Sequence, residues 1–242
     1  MGFVPLSKGG KKMLFSEHLK EEAQPILAAI HDHPFVVGIG EGKLPREALQ
    51  FYIEQDTNYL KAFAKIYAAA IMKCDNKADM AFFSEQIDLT LHSEVTPHQL
   101  FSEVAAIDYE AHTHADLAPT AYLYNEHMYN AAREGSLLDI VASLAPCPWT
   151  YEEIAVAHTV SGKNEATNPF AKWIDFYHPN VGEESATAKL FYLLDREAAQ
   201  SNEAAREKAK QRFLRSCELE WHFWEMAYHQ IDWRFSAKQA IK

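Results

Sequence analysis

Long apolar runs are missing from this chain of 242 residues, and none approaches the roughly 20 apolar residues that a membrane-spanning helix needs. The start, Met1 to Lys12, carries no extended apolar core of the kind that directs export. Cysteine is scarce: Cys74, Cys147 and Cys217 lie far apart, with no Cys-x-x-Cys pair and no zinc-like cluster, so they read as reduced thiols in a cytoplasmic protein. Basic residues are outnumbered, 23 Lys and Arg against 34 Asp and Glu, for a formal charge of -11. Nucleic-acid affinity depends on clustered Lys and Arg that release counterions from phosphates, so DNA and RNA are not expected partners. Alternating runs of Val, Ile and Thr are also absent, which removes the usual signature of strands.

With 9 Gly and 10 Pro thinly spread and 48% hydrophobic residues, the chain reads as compact and built from long regular elements. Leu19, Ala23, Ile26, Leu27 and Ile30 recur at three and four, marking an amphipathic helix with Ser16 as its cap. His33-Pro34 and the segment from Gly38 to Pro45 interrupt it. A long helix then runs from Pro45 to about Lys73. Further helical patterns cover about 77–106, 118–134, 136–145, 150–162, 167–177, 183–199 and 203–232. The expected fold class is all-α, a single-domain helical bundle over 13–235, with a flexible extension at 1–12 and a tail at 236–242.

Three side chains do not fit ordinary helical packing. Cys147 stands between Pro146 and Pro148, and Pro148 biases it toward an extended backbone at a break between two helices. A thiol fixed there is a candidate nucleophile, although free cysteine is equally at home in a core. Asp56 interrupts the inward stripe Leu49, Tyr52, Ile53, Tyr59, Leu60, Phe63, and Glu220 interrupts Phe213, Cys217, Phe223, Trp224. A buried carboxylate needs a partner or takes up a proton, so each is either half of a structural pair or a functional group. Apolar surroundings would raise the pKa of Glu220, as a general acid at neutral pH requires. Tyr122, Tyr124, Tyr151 and Tyr177 add hydroxyls that want partners and rings that offer stacking surfaces. Together these groups would suit a flat, nitrogen-rich ring.

Helical di-iron sites use Glu-x-x-His on paired helices, and the chain contains no such spacing. His92 with Glu94, and Glu110, His112 and His114, alternate at spacings that diverge on a helix, so no catalytic metal is expected. The stretch from Glu110 to Asp116 reads as a solvated acidic loop.

Several longer motifs occur in a fixed order: His33-Pro34-Phe35-Val36-Val37-Gly38-Ile39-Gly40-Glu41-Gly42-Lys43-Leu44-Pro45; Gln55-Asp56-x-x-Tyr59-Leu60; Pro119-Thr120-Ala121-Tyr122-x-Tyr124-x-x-His127-Met128-Tyr129; Leu144-Ala145-Pro146-Cys147-x-Trp149-x-Tyr151; Lys172-Trp173-Ile174-x-x-Tyr177; and Glu220-x-x-Phe223-Trp224-x-Met226-Ala227. In these the chain resembles the TenA family, also called thiaminase II, over about 13–235. The resemblance implies the helical fold shared with haem oxygenase, without implying haem or any other cofactor, and a homotetramer. It also implies hydrolysis of 4-amino-2-methylpyrimidines at the exocyclic methylene carbon, releasing ammonia from the 5-aminomethyl compound or thiazole from thiamine. By that likeness Cys147 is the nucleophile and Glu220 the acid/base. Asp56 anchors the pyrimidine, and Tyr59, Tyr124, Tyr151 and Tyr177 line the pocket. The duties of the two carboxyls could be exchanged, and a pyrimidine-binding or regulatory protein without chemistry is the competing reading.

Overall fold

A computed structural model describes residues 13–179 and 185–235; the expected extension at 1–12 and tail at 236–242 lie outside the described residues. Among the described residues there are eleven α-helices, one short 3-10 turn and no strand. They are α1 (Phe15–His31), α2 (Pro34–Glu41), α3 (Arg46–Ile71), α4 (Lys77–His92), α5 (Val95–Ala105), α6 (Pro119–Glu134), α7 (Leu137–Leu144), α8 (Pro146–Val160), α9 (Ala171–Tyr177), α10 (Ala186–Gln200) and α11 (Glu203–His229). The 3-10 turn is Glu110–His112.

The two long helices organise the core. The apolar stripes of α3 and α11 turn inward as their spacing requires; α3 packs on α4, α5, α6 and α11, and α11 on α1, α2, α6, α7 and α8. The short helix α7 is buried at every position from Leu137 to Leu144, so it fills the interior instead of facing solvent. Ser136 caps it: its Oγ accepts from the Asp139 N–H, while the Asp139 carboxylate accepts from the Ser136 N–H at 2.8 Å.

Five local expectations need correction. Ser16 does not cap α1; Leu14 holds that position, and the Ser16 N–H and Oγ both donate to Asp195 on α10 at 2.7 Å. The segment after His33 is not merely a break, because His33 Nδ1 accepts from the Phe35 N–H, Pro34 occupies the first turn, and α2 runs until Gly42 ends it at φ 70°. The pattern over 77–106 is two helices. Pro97 cannot continue α4, since its ring would meet the carbonyl four residues back, so the chain breaks at Ser93-Glu94 and restarts as α5.

Cys147 is helical, not extended. Ala145 sits in the right-handed helical region and serves both as the end of α7 and as the start of α8, so the two helices meet without a loop. Pro146, Cys147 and Pro148 form the first turn of α8, where backbone N–H groups have no intrahelical acceptor and a proline gives nothing up. The thiol still stands at the junction of two helices. The expected helix at 183–199 is observed as α10; residues 183 and 184 lie outside the described residues.

The stretch from Glu110 to Asp116 is less solvated than expected. His112 Nδ1 lies 2.7 Å from Glu54 Oε1, Asn58 donates to the Ala115 carbonyl at 2.7 Å, and Gln55 bridges the Asp116 carbonyl and the Ala118 N–H. Those bonds pin the loop along α3 and complete one side of the interior around Asp56.

Candidate active site

The predicted residues come from five helices. Asp56 and Tyr59 lie on consecutive turns of α3, Tyr124 on α6, Cys147 and Tyr151 one turn apart on α8, Tyr177 at the end of α9, and Glu220 in the middle of α11. A cavity of about 230 Å³ is lined by Asp56, Cys147, Tyr151 and Tyr177, together with Phe63, Tyr67 and Glu94. Its described wall holds no lysine or arginine. Tyr59, Tyr124 and Glu220 are not in that wall; they are buried, and Glu220 and Tyr59 act on the thiol from outside it.

Glu220 is 3% exposed, and its Oε1 accepts from the Tyr124 hydroxyl at 2.7 Å. Burial pushes its carboxyl up to about 8; the Asp56 charge adds to this, and Tyr124 and Cys147 pull it part of the way back. The Cys147 thiol is pushed well above its ordinary value by burial and then by the Glu220 charge, with the Tyr59 hydroxyl opposing. By accessible area Cys147 is only half-buried because the cavity itself lies against it. A thiol in this setting is protonated at rest and needs a base.

The Tyr59 hydroxyl is buried with no hydrogen-bond partner among the described residues. An unpaired buried hydroxyl is unfavourable by about 1–3 kcal/mol. The Tyr59 ring packs at a tilt against Tyr124, with centroids 4.9 Å apart and planes at 48°, and the Tyr151 hydroxyl lies 2.6 Å from that of Tyr52. Tyr122, by contrast, points outward and is 51% exposed, against Trp233.

Two site residues escaped the sequence reading. His98, 2% exposed on α5, places Nε2 2.6 Å from Asp56 Oδ2, so the buried carboxyl does have a partner. Glu94, at the α4–α5 junction, accepts from the Tyr177 hydroxyl at 2.8 Å and faces the cavity. Burial raises its carboxyl to about 7, opposed by the Tyr177 bond and aided by the Asp56 charge. The signal that could have found both was Pro97, which forces the helical pattern to break at Ser93-Glu94 and start afresh as α5. Among the described residues no group of three or more His, Cys, Asp or Glu is placed to hold a metal ion. No described helix is long and apolar enough to cross a membrane.

A model of the TENA/THI-4/PQQC family matches residues 20–230. The chain belongs to this family. Its relatives include an aminopyrimidine aminohydrolase of Halalkalibacterium halodurans, 35% identical over 93% of this chain and 100% of that protein. Another, of Staphylococcus saprophyticus, is 33% identical over 92% of this chain and 97% of that protein. Among solved structures of the family, a TenA homologue from P. horikoshii OT3 superposes with a TM-score of 0.78 at 24% identity, covering 90% of this chain and 99% of that one. A protein of Silicibacter sp. TM1040 described as a TenA family transcription regulator gives 0.76 at 28% identity, covering 88% and 96%. A domain from Shewanella denitrificans with a heme oxygenase-like fold gives 0.61 at 14% identity, covering 88% and 91%, a likeness of fold alone. The all-α, haem oxygenase-like architecture expected from the sequence is the one observed.

Proposed function

We propose that this chain hydrolyses thiamine-related aminopyrimidines, converting 4-amino-5-aminomethyl-2-methylpyrimidine to the 5-hydroxymethyl compound and ammonia, with Cys147 as nucleophile. The observation that carries the reading is that the Cys147 thiol lines the same cavity as Asp56, while the buried acid Glu220 bears electrostatically on that thiol. Relatives that this chain matches over nearly their whole length bear the name aminopyrimidine aminohydrolase, which supports the same chemistry.

In this mechanism Asp56, backed by His98, holds the amino edge of the ring, where a charge-assisted hydrogen bond is stronger than a neutral one. Glu220 takes the thiol proton, and the thiolate adds to the electron-poor ring. The electron pair displaced from the ring moves toward the exocyclic methylene and expels the amine, which receives its proton from Glu220. Water then adds to the methylene carbon and gives its proton to Glu220, and the sulfur departs as aromaticity is restored and takes that proton back as the thiol. A carboxyl near pKa 8 suits a group that must both accept and donate at neutral pH. Tyr124 orients that carboxyl, Tyr59 bears on the thiol, and Tyr151 and Tyr177 enclose the ring.

A cavity of about 230 Å³ is smaller than the roughly 300 Å³ at which sites for drug-sized ligands begin, which favours the single-ring aminomethyl compound over intact thiamine. Incubating the protein with each compound tests this. Ammonia and hydroxymethylpyrimidine should form in equal amounts from the first, with a kcat/KM exceeding that for thiazole release from thiamine. Tight binding without product after long incubation would support a pyrimidine sensor instead. One solved relative is described as a transcription regulator, but a net charge of -11 opposes direct contact of this chain with DNA. A homotetrameric assembly and a cytoplasmic location go with the proposed role, the first testable by light scattering.

A further inference from the structure

Glu94 has no part in the mechanism so far, yet it occupies the cavity wall and its Oε2 accepts from Tyr177. It follows the end of α4 and precedes the first residue of α5, but its carboxylate makes no capping bond to the helix it precedes. Its Oε1 accepts no hydrogen bond among the described residues. A carboxyl that neither caps its helix nor meets a cation is poorly explained by stability, because desolvation without pairing is unfavourable.

The polarity of the Tyr177 bond matters for a heteroaromatic guest. A phenol has one proton to donate. While Glu94 is ionised, Tyr177 must spend that proton on Oε2 and can offer a ring nitrogen only lone pairs. Once Glu94 is protonated, the carboxyl donates to the phenol oxygen, and the Tyr177 proton is released toward the cavity. An aminopyrimidine has two ring nitrogens, both hydrogen-bond acceptors. Asp56 accepts from the exocyclic amino group, and the ring nitrogen remote from it needs a donor. It is also an atom onto which electrons flow when sulfur adds to the ring.

We propose that Glu94 is a positioning residue that acts through Tyr177, in its protonated form turning the tyrosine into the hydrogen-bond and proton donor for the ring nitrogen remote from Asp56. This deepens the hydrolase reading and rests on it. As the C–S bond forms and the electron pair reaches the nitrogen, the nitrogen takes the phenol proton and the phenol oxygen takes the Glu94 proton; the lone pair left on that nitrogen then pushes through the ring to the methylene and expels the amine. When sulfur leaves and the ring becomes aromatic again, the same proton returns over the same two bonds. The ring thus acquires its electron sink without a metal ion or a lysine, neither of which the described wall supplies.

The groups that face Glu94 fit this role. From α3 the Asp56 charge and from α9 Tyr177 act on it directly, and His98 on α5 opposes Asp56. Cys147 and Tyr151 on α8, and Tyr67 on α3, share its cavity. With its carboxyl raised to about 7 by burial, both protonation states are populated near neutrality.

The test is the pH dependence of kcat/KM for the aminomethylpyrimidine in the wild type, Glu94→Gln, Tyr177→Phe and the double variant. Glutamine keeps the shape and can donate to Tyr177 at every pH. The wild type should lose activity as pH rises through about 7, and Glu94→Gln should lack that limb. The ratio of variant to wild type should then climb about tenfold per pH unit above it, while limbs due to the substrate and Glu220 remain in both. The double variant should match Tyr177→Phe. A ratio independent of pH, or additive losses in the double variant, would overturn the inference while leaving the hydrolase reading intact; absence of turnover by the wild type would refute both. If Glu94→Gln does not fold, calorimetry with 4-amino-2,5-dimethylpyrimidine in buffers of different ionisation enthalpy decides. Proton uptake on binding above pH 7 by the wild type and none by Tyr177→Phe supports the inference, and equal uptake by both overturns it.

Discussion

At the scale of single residues, Asp56 and Glu220 were legible because they interrupt apolar stripes, and each is buried with a specific partner, His98 and Tyr124. His98 and Glu94 were not, because they lie at the start of α5, just past a helix break that periodicity alone ran together. The Tyr124 bond favours the ionised form of Glu220, so Tyr124→Phe should move the ionisation of Glu220 to higher pH. The check is an upward shift of the Glu220 limb in the pH–rate profile. Stability should carry the opposite mark of these buried acids. Glu94 and Glu220 have folded pKa values raised above the 4.5 of an exposed glutamate, so the folded state holds more protons than the unfolded one between about 4.5 and 8. Stability is therefore greatest at the acidic end of that window and falls as pH rises through it. Glu220→Gln should flatten this decline, a difference on the order of a few kcal/mol in urea unfolding between pH 5 and 9.

At the scale of elements, the junction of α7 and α8 positions the thiol, and proline chemistry explains both what was legible and what was not. Pro146 and Pro148 marked the break correctly, but pre-proline restriction is a tendency, and the first turn of α8 accommodates both rings with Cys147 helical between them. The buried helix α7 leads into that junction and is held at its other end by Asp139. Burial alone would raise this carboxyl, but bonds from Ser136 and Arg212 more than offset it and hold it below the usual value. Asp139→Ala removes the reciprocal cap together with the Arg212 contact at 2.8 Å and should reduce stability by about 1–3 kcal/mol. Thermal unfolding at neutral pH measures it. Because a depressed carboxyl contributes above its unfolded pKa, the difference from wild type should shrink as pH falls through the folded value.

At the scale of the molecule, the long helices α3 and α11 carry the two acids, and an aromatic interior fixes their separation. Trp224 on α11 stacks on Tyr52 of α3 with planes 8° apart, and lies 5.1 Å from the Tyr151 ring of α8 and 5.0 Å from Phe35 of α2. Trp224→Ala should lower stability by about 3–5 kcal/mol and, in the fraction that folds, depress turnover more than Tyr122→Ala on the exposed face of α6. The all-α class was legible from spacing because few glycines and no alternating strands compete with the helical period. Which helices meet was not, since contacts between α3 and α11 join residues more than a hundred positions apart.

The most direct test of the chemistry is Cys147→Ser. If the thiol is the atom that attacks the ring, the variant should keep the far-ultraviolet helical spectrum of the wild type and still bind 4-amino-2,5-dimethylpyrimidine, while ammonia release from the aminomethylpyrimidine falls by at least about a hundredfold. Turnover by a folded Cys147→Ser protein at the wild-type rate would contradict the account.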